Sequence, residues 1–203
     1  PVILEHDLLV ITDEIYAELT YGGKNHFSIT ALPGMKERCI FVNGFSKAFA
    51  MTGWRLGYAM APASIMQQMV KIHQYCIMSS PTISQYAAIY AMTDGDADTQ
   101  MMRKDYNRRR KYLLRRFQEM QIPCFEPKGA FYIFPNITEF GMSSEDFAME
   151  LLRQEKVAVV PGSAFGKCGE GFLRISYAYS LDDLRVAFDR IESFVHTLRA
   201  KNK

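Results

Sequence analysis

Asn43-Gly44-Phe45-Ser46-Lys47-Ala48-Phe49-Ala50-Met51-Thr52-Gly53-Trp54-Arg55 is the stretch from which the rest of the chain is read. Just before it, Arg38-Cys39-Ile40-Phe41-Val42 is a short apolar run with β-branched residues, which predicts a buried strand. Just after it, residues 55–61 predict another. The turn-rich segment between them sets one lysine among small and aromatic side chains, where an amine can serve as a nucleophile toward an aldehyde. Arg55 follows where the chain re-enters a strand, and a guanidinium there suits a phosphate. Together the two groups suit a phosphorylated aldehyde.

Working outward, Leu8-Leu9-Val10-Ile11-Thr12 is a continuous apolar run ending at Asp13, the pattern of a buried parallel strand with a carboxylate at its C-terminal end. Open α/β sheets bind ligands at those ends. Tyr16 follows at a spacing that shares one side of a helical turn with Asp13. Taken alone, Asp13 reads first as a helix N-cap and only second as a ligand-binding carboxylate. Residues 21–26 form a turn-rich loop in which His26 is expected to be exposed. Spacings of three to four at Ile65, Met69, Ile72 and Cys76 predict a helix in which His73 is structural, and residues 83–92 predict an Ala-rich helix buried against the sheet. The polar stretch 93–98 is the expected boundary between two domains, 1–94 and 95–203.

Past that boundary, Met102, Tyr106, Leu113, Phe117 and Met120 mark one face of a long amphipathic helix. Its Arg103, Lys104, Arg108, Arg109, Lys111, Arg115 and Arg116 read as a solvated face rather than a nucleic-acid surface, since no aromatic platform accompanies them. Strands are expected at 129–135, 157–160 and 172–176. Helices are expected to begin at Ser143-Ser144-Glu145-Asp146 and at Ser180-Leu181-Asp182-Asp183, the second with His196 on its solvent side.

Ser46-Lys47-Ala48-Phe49-Ala50-Met51-Thr52-Gly53-Trp54-Arg55-Leu56-Gly57-Tyr58 closely resembles the cofactor-lysine segment of the class I/II aminotransferases, the fold type I enzymes that use pyridoxal 5′-phosphate (PLP). Three further stretches resemble the same family: Asp13-Glu14-Ile15-Tyr16, Pro127-Lys128-Gly129-Ala130-Phe131-Tyr132, and Phe172-Leu173-Arg174-Ile175-Ser176-Tyr177-Ala178 with the loop before it. The resemblance implies that Lys47 bonds the cofactor and moves the Cα proton, and that Asp13 pairs with the pyridine nitrogen. It further implies that Tyr16 bonds the 3′-oxygen, that Arg55 binds the phosphate, and that Arg174 binds the substrate carboxylate. Many members carry a phosphate-binding serine three residues before the lysine. Here that position is Gly44, which leaves Ser46 as the candidate hydroxyl.

The fold implied is α/β: the C-terminal part of the large PLP-binding domain, a mostly parallel sheet with helices, followed by a small α+β domain. The function implied is amino-group transfer between an amino acid and a 2-oxo acid by a homodimer. A PLP-dependent C–S or β-lyase relative, or an inert aminotransferase-like fragment, would share the same residues. Family members run to about twice this length, so the chain is expected to be a C-terminal part with little turnover alone.

Composition agrees. The 203 residues carry 24 Lys+Arg against 22 Asp+Glu, a balance that favours neither nucleic acid nor a membrane surface. The four cysteines form no CxxC pair, so no metal or redox motif is signalled and a reducing cytoplasm is expected. No apolar run approaches the roughly 20 residues of a membrane span.

Overall fold

The computed structural model describes residues 1–23 and 25–201. Lys24, inside the loop expected over 21–26, lies outside the described residues, as do the last two. The chain divides into two compact units, Pro1–Arg103 and the residues from Lys104 onward.

The first unit opens with the short helix α1 (Val2–Glu5) and the strand β1 (Val10–Asp13), which runs parallel to β2 (Cys39–Gly44) with Val10 opposite Cys39 and Asp13 opposite Val42. The intervening stretch is long enough for the crossover that parallel pairing requires. The next connection is consumed by two tight turns, α2 (Phe45–Ala48) and a 3-10 turn at Thr52–Trp54. The chain therefore folds back, and β3 (Gly57–Met60) pairs antiparallel to β2 with Gly44 opposite Gly57. The described sheet thus has one parallel and one antiparallel pairing, in the order β1-β2-β3.

Two helices follow, α3 (Ala63–Cys76) and α4 (Thr82–Asp94). The expectation that residues 83–92 are buried is not met: in α4 only Ser84 and Ala88 are buried, while Ile83, Tyr86, Ile89 and Tyr90 are exposed. Ala88, with the partly buried Ala87 and Ala91, packs against Phe45, Met51 and Phe49, while the larger apolar side chains of the helix stay exposed. The α3 helix has no buried residue, and its Tyr75 is 94% exposed. The expected burial of β1 also fails, since Ile11 is 73% exposed. Apolar surface on all sides of a helix is ordinarily covered by other protein. No helix among the described residues is long and apolar enough to cross a membrane.

The helix α5 (Asp96–Glu119) contributes Leu113 and Phe117 to the second unit's core, with Met120 just beyond it. A small antiparallel sheet follows, built from β4 (Tyr132–Ile133), β5 (Val160–Pro161) and β6 (Leu173–Ser176) in the order β4-β6-β5. Helix α6 (Ser144–Glu155) begins as the sequence predicts, with the Asp146 backbone N–H donating to Ser143 Oγ. Helix α7 (Leu181–Lys201) begins the same way at Ser180, and buries Leu184, Phe188, Ile191 and Val195. Phe117 meets Phe188 edge-on, ring centroids 5.0 Å apart, and Phe147 meets Phe194 likewise.

The basic stripe of α5 is only partly a solvated face. Arg108 and Arg115 are exposed, but Arg116 is buried and donates to Tyr112 Oη, Asp189 and Glu192. Neighbouring Arg110 is buried as well, donating to Glu126 and to the Pro127 carbonyl. Guanidinium groups leave water here because carboxylates and carbonyls take up their N–H bonds.

Gly162 fixes the loop after β5. A Cβ added there would fall within the van der Waals radius of the Gly169 and Phe172 carbonyls, both backbone atoms with no room to yield. Gly162→Ala is therefore expected to destabilise the second unit by about 2 kcal/mol or more, the scale of an overpacked core. Chemical denaturation of the variant beside the wild-type chain measures this directly.

Candidate active site

The strand pairing gathers the predicted residues of the first unit at one end of its sheet. Asp13 closes β1, and its register partner Val42 lies two residues before the end of β2. Lys47 stands three residues beyond Gly44, in α2. Because β3 returns antiparallel, Arg55 sits just before its first residue and so at that same end. Tyr16 lies in the turn that follows β1. This is where an α/β sheet offers its strand carboxyl ends to a ligand.

The donors and acceptors there suit a phosphorylated aldehyde. Asp13 Oδ1 accepts the Ile15 backbone N–H at 3.1 Å, so the carboxylate caps a turn rather than a helix. Its second oxygen has no hydrogen bond among the described residues. Arg55 is exposed, and among its N–H groups one donates to the Thr52 carbonyl at 2.8 Å. Ser46 Oγ has no protein partner among the described residues. Gly44 approaches β3 so closely that a Cβ would sit 3.1 Å from Leu56 O and 3.2 Å from Gly57 Cα, which accounts locally for glycine at this position.

The lysine loop itself is irregular. Ala50 and Arg55 both take left-handed backbone, each at φ 53°. The Phe45, Met51 and Ala88 side chains pack beneath it. Two buried hydroxyls from later in the chain reach its carbonyls: Ser84 Oγ donates to Trp54 O at 2.7 Å and Thr99 Oγ1 to Ala48 O at 2.8 Å. Neither was singled out from the sequence, where Ser84 lies beside Gln85 in a mostly apolar helix.

In the second unit, Arg174 of β6 contacts two rings, its Cζ 4.5 Å from the centroids of both Tyr132 and Phe165. It forms no ion pair among the described residues. Arg174 also borders a hollow of about 450 Å³ lined by Val160, Ile175, Tyr179 and Leu184. The sequence pointed to Arg174 but not to its two rings, which come from separate segments.

A hollow of about 900 Å³ in the first unit is lined by Glu14, Ser28, Phe41, Asn43, Tyr58 and Met60, and by none of the predicted site residues. Its buried carboxylate is already engaged. Glu14, 5% exposed, accepts from Thr12 Oγ1 at 3.1 Å and Ser28 Oγ at 2.8 Å, and pairs with His26 Nε2 at 2.6 Å. His26 is exposed, as expected of a loop residue, and is also anchored there by its contact with Glu14. The residues that the resemblance points to stand at the strand ends and not in this hollow.

The family model "Aminotransferase class I and II" matches residues 2–191. The chain is 54% identical over 192 residues to YugH of Bacillus subtilis, a match spanning 95% of this chain and 50% of that protein. It is 52% identical to the aspartate aminotransferase of Pyrococcus abyssi, spanning 93% of this chain and 49% of the other. Among solved structures, the aromatic aminotransferase of Pyrococcus horikoshii superposes with a TM-score of 0.94 at 48% identity, over 98% of this chain and 53% of that one. The chain thus spans about half the length of these relatives.

Glu14 gives the turn carrying Tyr16 a pH signature. Burial pushes its carboxyl up, but the hydrogen bonds from Ser28, His26 and Thr12 outweigh this and hold it below the ordinary value of 4.5. A carboxyl that binds its proton less readily when folded adds stability in full above its unfolded value, and that stability is lost as the pH falls through the lower folded value. Glu14→Gln is expected to lower stability at neutral pH by about 1–3 kcal/mol, the scale of disturbing a buried hydrogen-bonded group. It is also expected to flatten the decline of stability below pH 4.5. Denaturant titrations of both proteins between neutral and acid pH test the two effects together.

Proposed function

The chain belongs to the class I and II aminotransferase family, and we propose that it serves amino-group transfer between an amino acid and a 2-oxo acid with PLP as cofactor. The observation that carries this reading is the sheet topology, which brings a carboxylate, a phenol, an amine and a guanidinium to one set of strand ends. Bound there, PLP would supply a sink for the electron pair left when a substrate loses its Cα proton.

The chain's own groups divide the remaining work. Lys47 Nζ is the amine that would hold the cofactor and, when free, would take and return the substrate's Cα proton. The free oxygen of Asp13 holds a proton on the ring nitrogen, and Tyr16 Oη donates to the ring's 3′-oxygen. Arg55 binds the phosphate through its remaining N–H groups, with the Ser46 hydroxyl as a second donor. Arg174, held by the Tyr132 and Phe165 rings and in no ion pair among the described residues, receives the substrate carboxylate. The bare apolar faces of α3 and α4 support association with a second copy, and four free thiols favour a reducing compartment such as the cytoplasm.

Incubation with PLP, borohydride reduction and mass mapping test the cofactor reading. Lys47 is expected to be the modified residue, with the label absent from Lys47→Ala. Arg55→Ala is expected to weaken PLP binding by roughly tenfold or more, the loss that follows removal of a charge-assisted hydrogen bond. Label scattered over surface lysines without preference for Lys47 would overturn the assignment. Turnover by these residues alone is expected to stay near the Lys47→Ala background, as an amino acid and 2-oxo acid assay would show.

A further inference from the structure

We infer that Ser84 and Thr99 are positioning residues for the loop from Lys47 to Arg55: Ser84 holds the backbone turn that aims Arg55, and Thr99 pins the turn that carries Lys47. The cofactor consequence of this inference rests on the PLP reading above, whereas its backbone consequence does not.

Within the loop, backbone bonding is sparse and long. Phe45 N–H donates to Leu56 O at 3.3 Å, Phe49 N–H to Phe45 O at 3.2 Å, Met51 N–H to Phe45 O at 3.3 Å and Trp54 N–H to Met51 O at 3.2 Å. The two side-chain bonds are shorter, 2.7 Å from Ser84 and 2.8 Å from Thr99. Both hydroxyls lie in dry surroundings, Ser84 being 3% and Thr99 8% exposed. A carbonyl deprived of such a donor there has little water to replace it.

The carbonyls they hold decide the geometry. Trp54 O belongs to the peptide plane that joins Trp54 to Arg55, so anchoring it restrains rotation about the Arg55 N–Cα bond. That bond sits at φ 53°, a left-handed value that arginine does not favour. Released, the residue would relax toward ordinary backbone and its guanidinium would turn away from the strand ends. Ala48 O belongs to the plane that joins Ala48 to Phe49, one residue past Lys47, so the Thr99 bond fixes the exit of the short helix bearing the amine. Gly95 permits this approach: a Cβ there would meet the Phe49 ring at 3.0 Å and run into the Ala91 carbonyl. The junction of α4 and α5 thereby stays against the loop, with Ser84 and Thr99 on either side of it.

The test uses the whole chain with Ser84→Ala, Thr99→Val and the rescue variant Thr99→Ser, each checked for its global unfolding midpoint. In the absence of cofactor, amide hydrogen exchange is followed across residues 45–56. Ser84→Ala is expected to raise exchange at 53–56, and Thr99→Val at 48–51, by roughly five- to tenfold, the factor carried by one hydrogen bond. Thr99→Ser is expected to exchange as the wild type does. With ligand, borohydride trapping at Lys47 is compared for PLP and for pyridoxal, which lacks the phosphate. Ser84→Ala is expected to erase most of the preference for PLP, while Thr99→Val lowers trapping of both. Unchanged local exchange, or a rise spread evenly over the chain, would overturn the inference. Local loosening with normal trapping would overturn its cofactor half. A wild type that traps nothing at Lys47 would refute the PLP reading instead, and exchange would then decide whether the hydroxyls position the loop.

Discussion

Parallel pairing of β1 with β2, in the register that sets Asp13 opposite Val42, is the constraint on which the first unit's chemistry depends. Strand side chains alternate between faces with a period of two, so a slip of one residue would send Asp13 to the opposite face of the sheet. Parallel strands also bring their carboxyl ends to the same side, and the antiparallel return of β3 delivers Arg55 to that side as well. One register and one reversal therefore suffice to collect groups that lie far apart in sequence.

Regular structure stops where the functional groups begin. The loop after β2 contains two non-glycine residues in left-handed backbone, each a cost of about 1–2 kcal/mol against ordinary conformations. A buried hydroxyl bond returns about 1 kcal/mol. Two such bonds are of the same order as the strain but do not clearly exceed it, and the apolar packing of Phe45 and Met51 on Ala88 supplies the rest. The loop's shape is thus a joint product of a core beneath it and clamps beside it. Strain of this kind persists only where surrounding contacts over-determine it.

How far the residues alone revealed this depends on the range of the interaction. Strands β1, β2 and β3 were legible because apolar runs and turn residues are local signals, and the starts of α6 and α7 because a serine cap acts three residues away. Glu14 was not legible as a buried carboxylate, since its partners His26 and Ser28 lie 12 and 14 residues on and only the fold unites them. Arg116 hid within a stripe of like charges because Asp189 and Glu192 approach from 73 and 76 residues downstream. The errors over β1 and α4 have another source. Apolar sequence reports what a surface requires as cover, and the described residues leave Ile11 and much of α4 without it.

Arg174 illustrates how a fold prepares a cation without neutralising it. A carboxylate beside it would satisfy the guanidinium but also occupy the donors that a ligand would use. Two aromatic rings attract the same charge through their quadrupoles, worth about 0.5–2 kcal/mol per ring depending on desolvation, without an ion pair to neutralise it. The rings come from segments with independent support. Tyr132 lies in β4, paired opposite Ser176 on the same strand as Arg174, and Phe165 stands in the loop that Gly162 pins against Gly169. Contact with both rings also restricts the side chain, so less ordering is left for a ligand to impose.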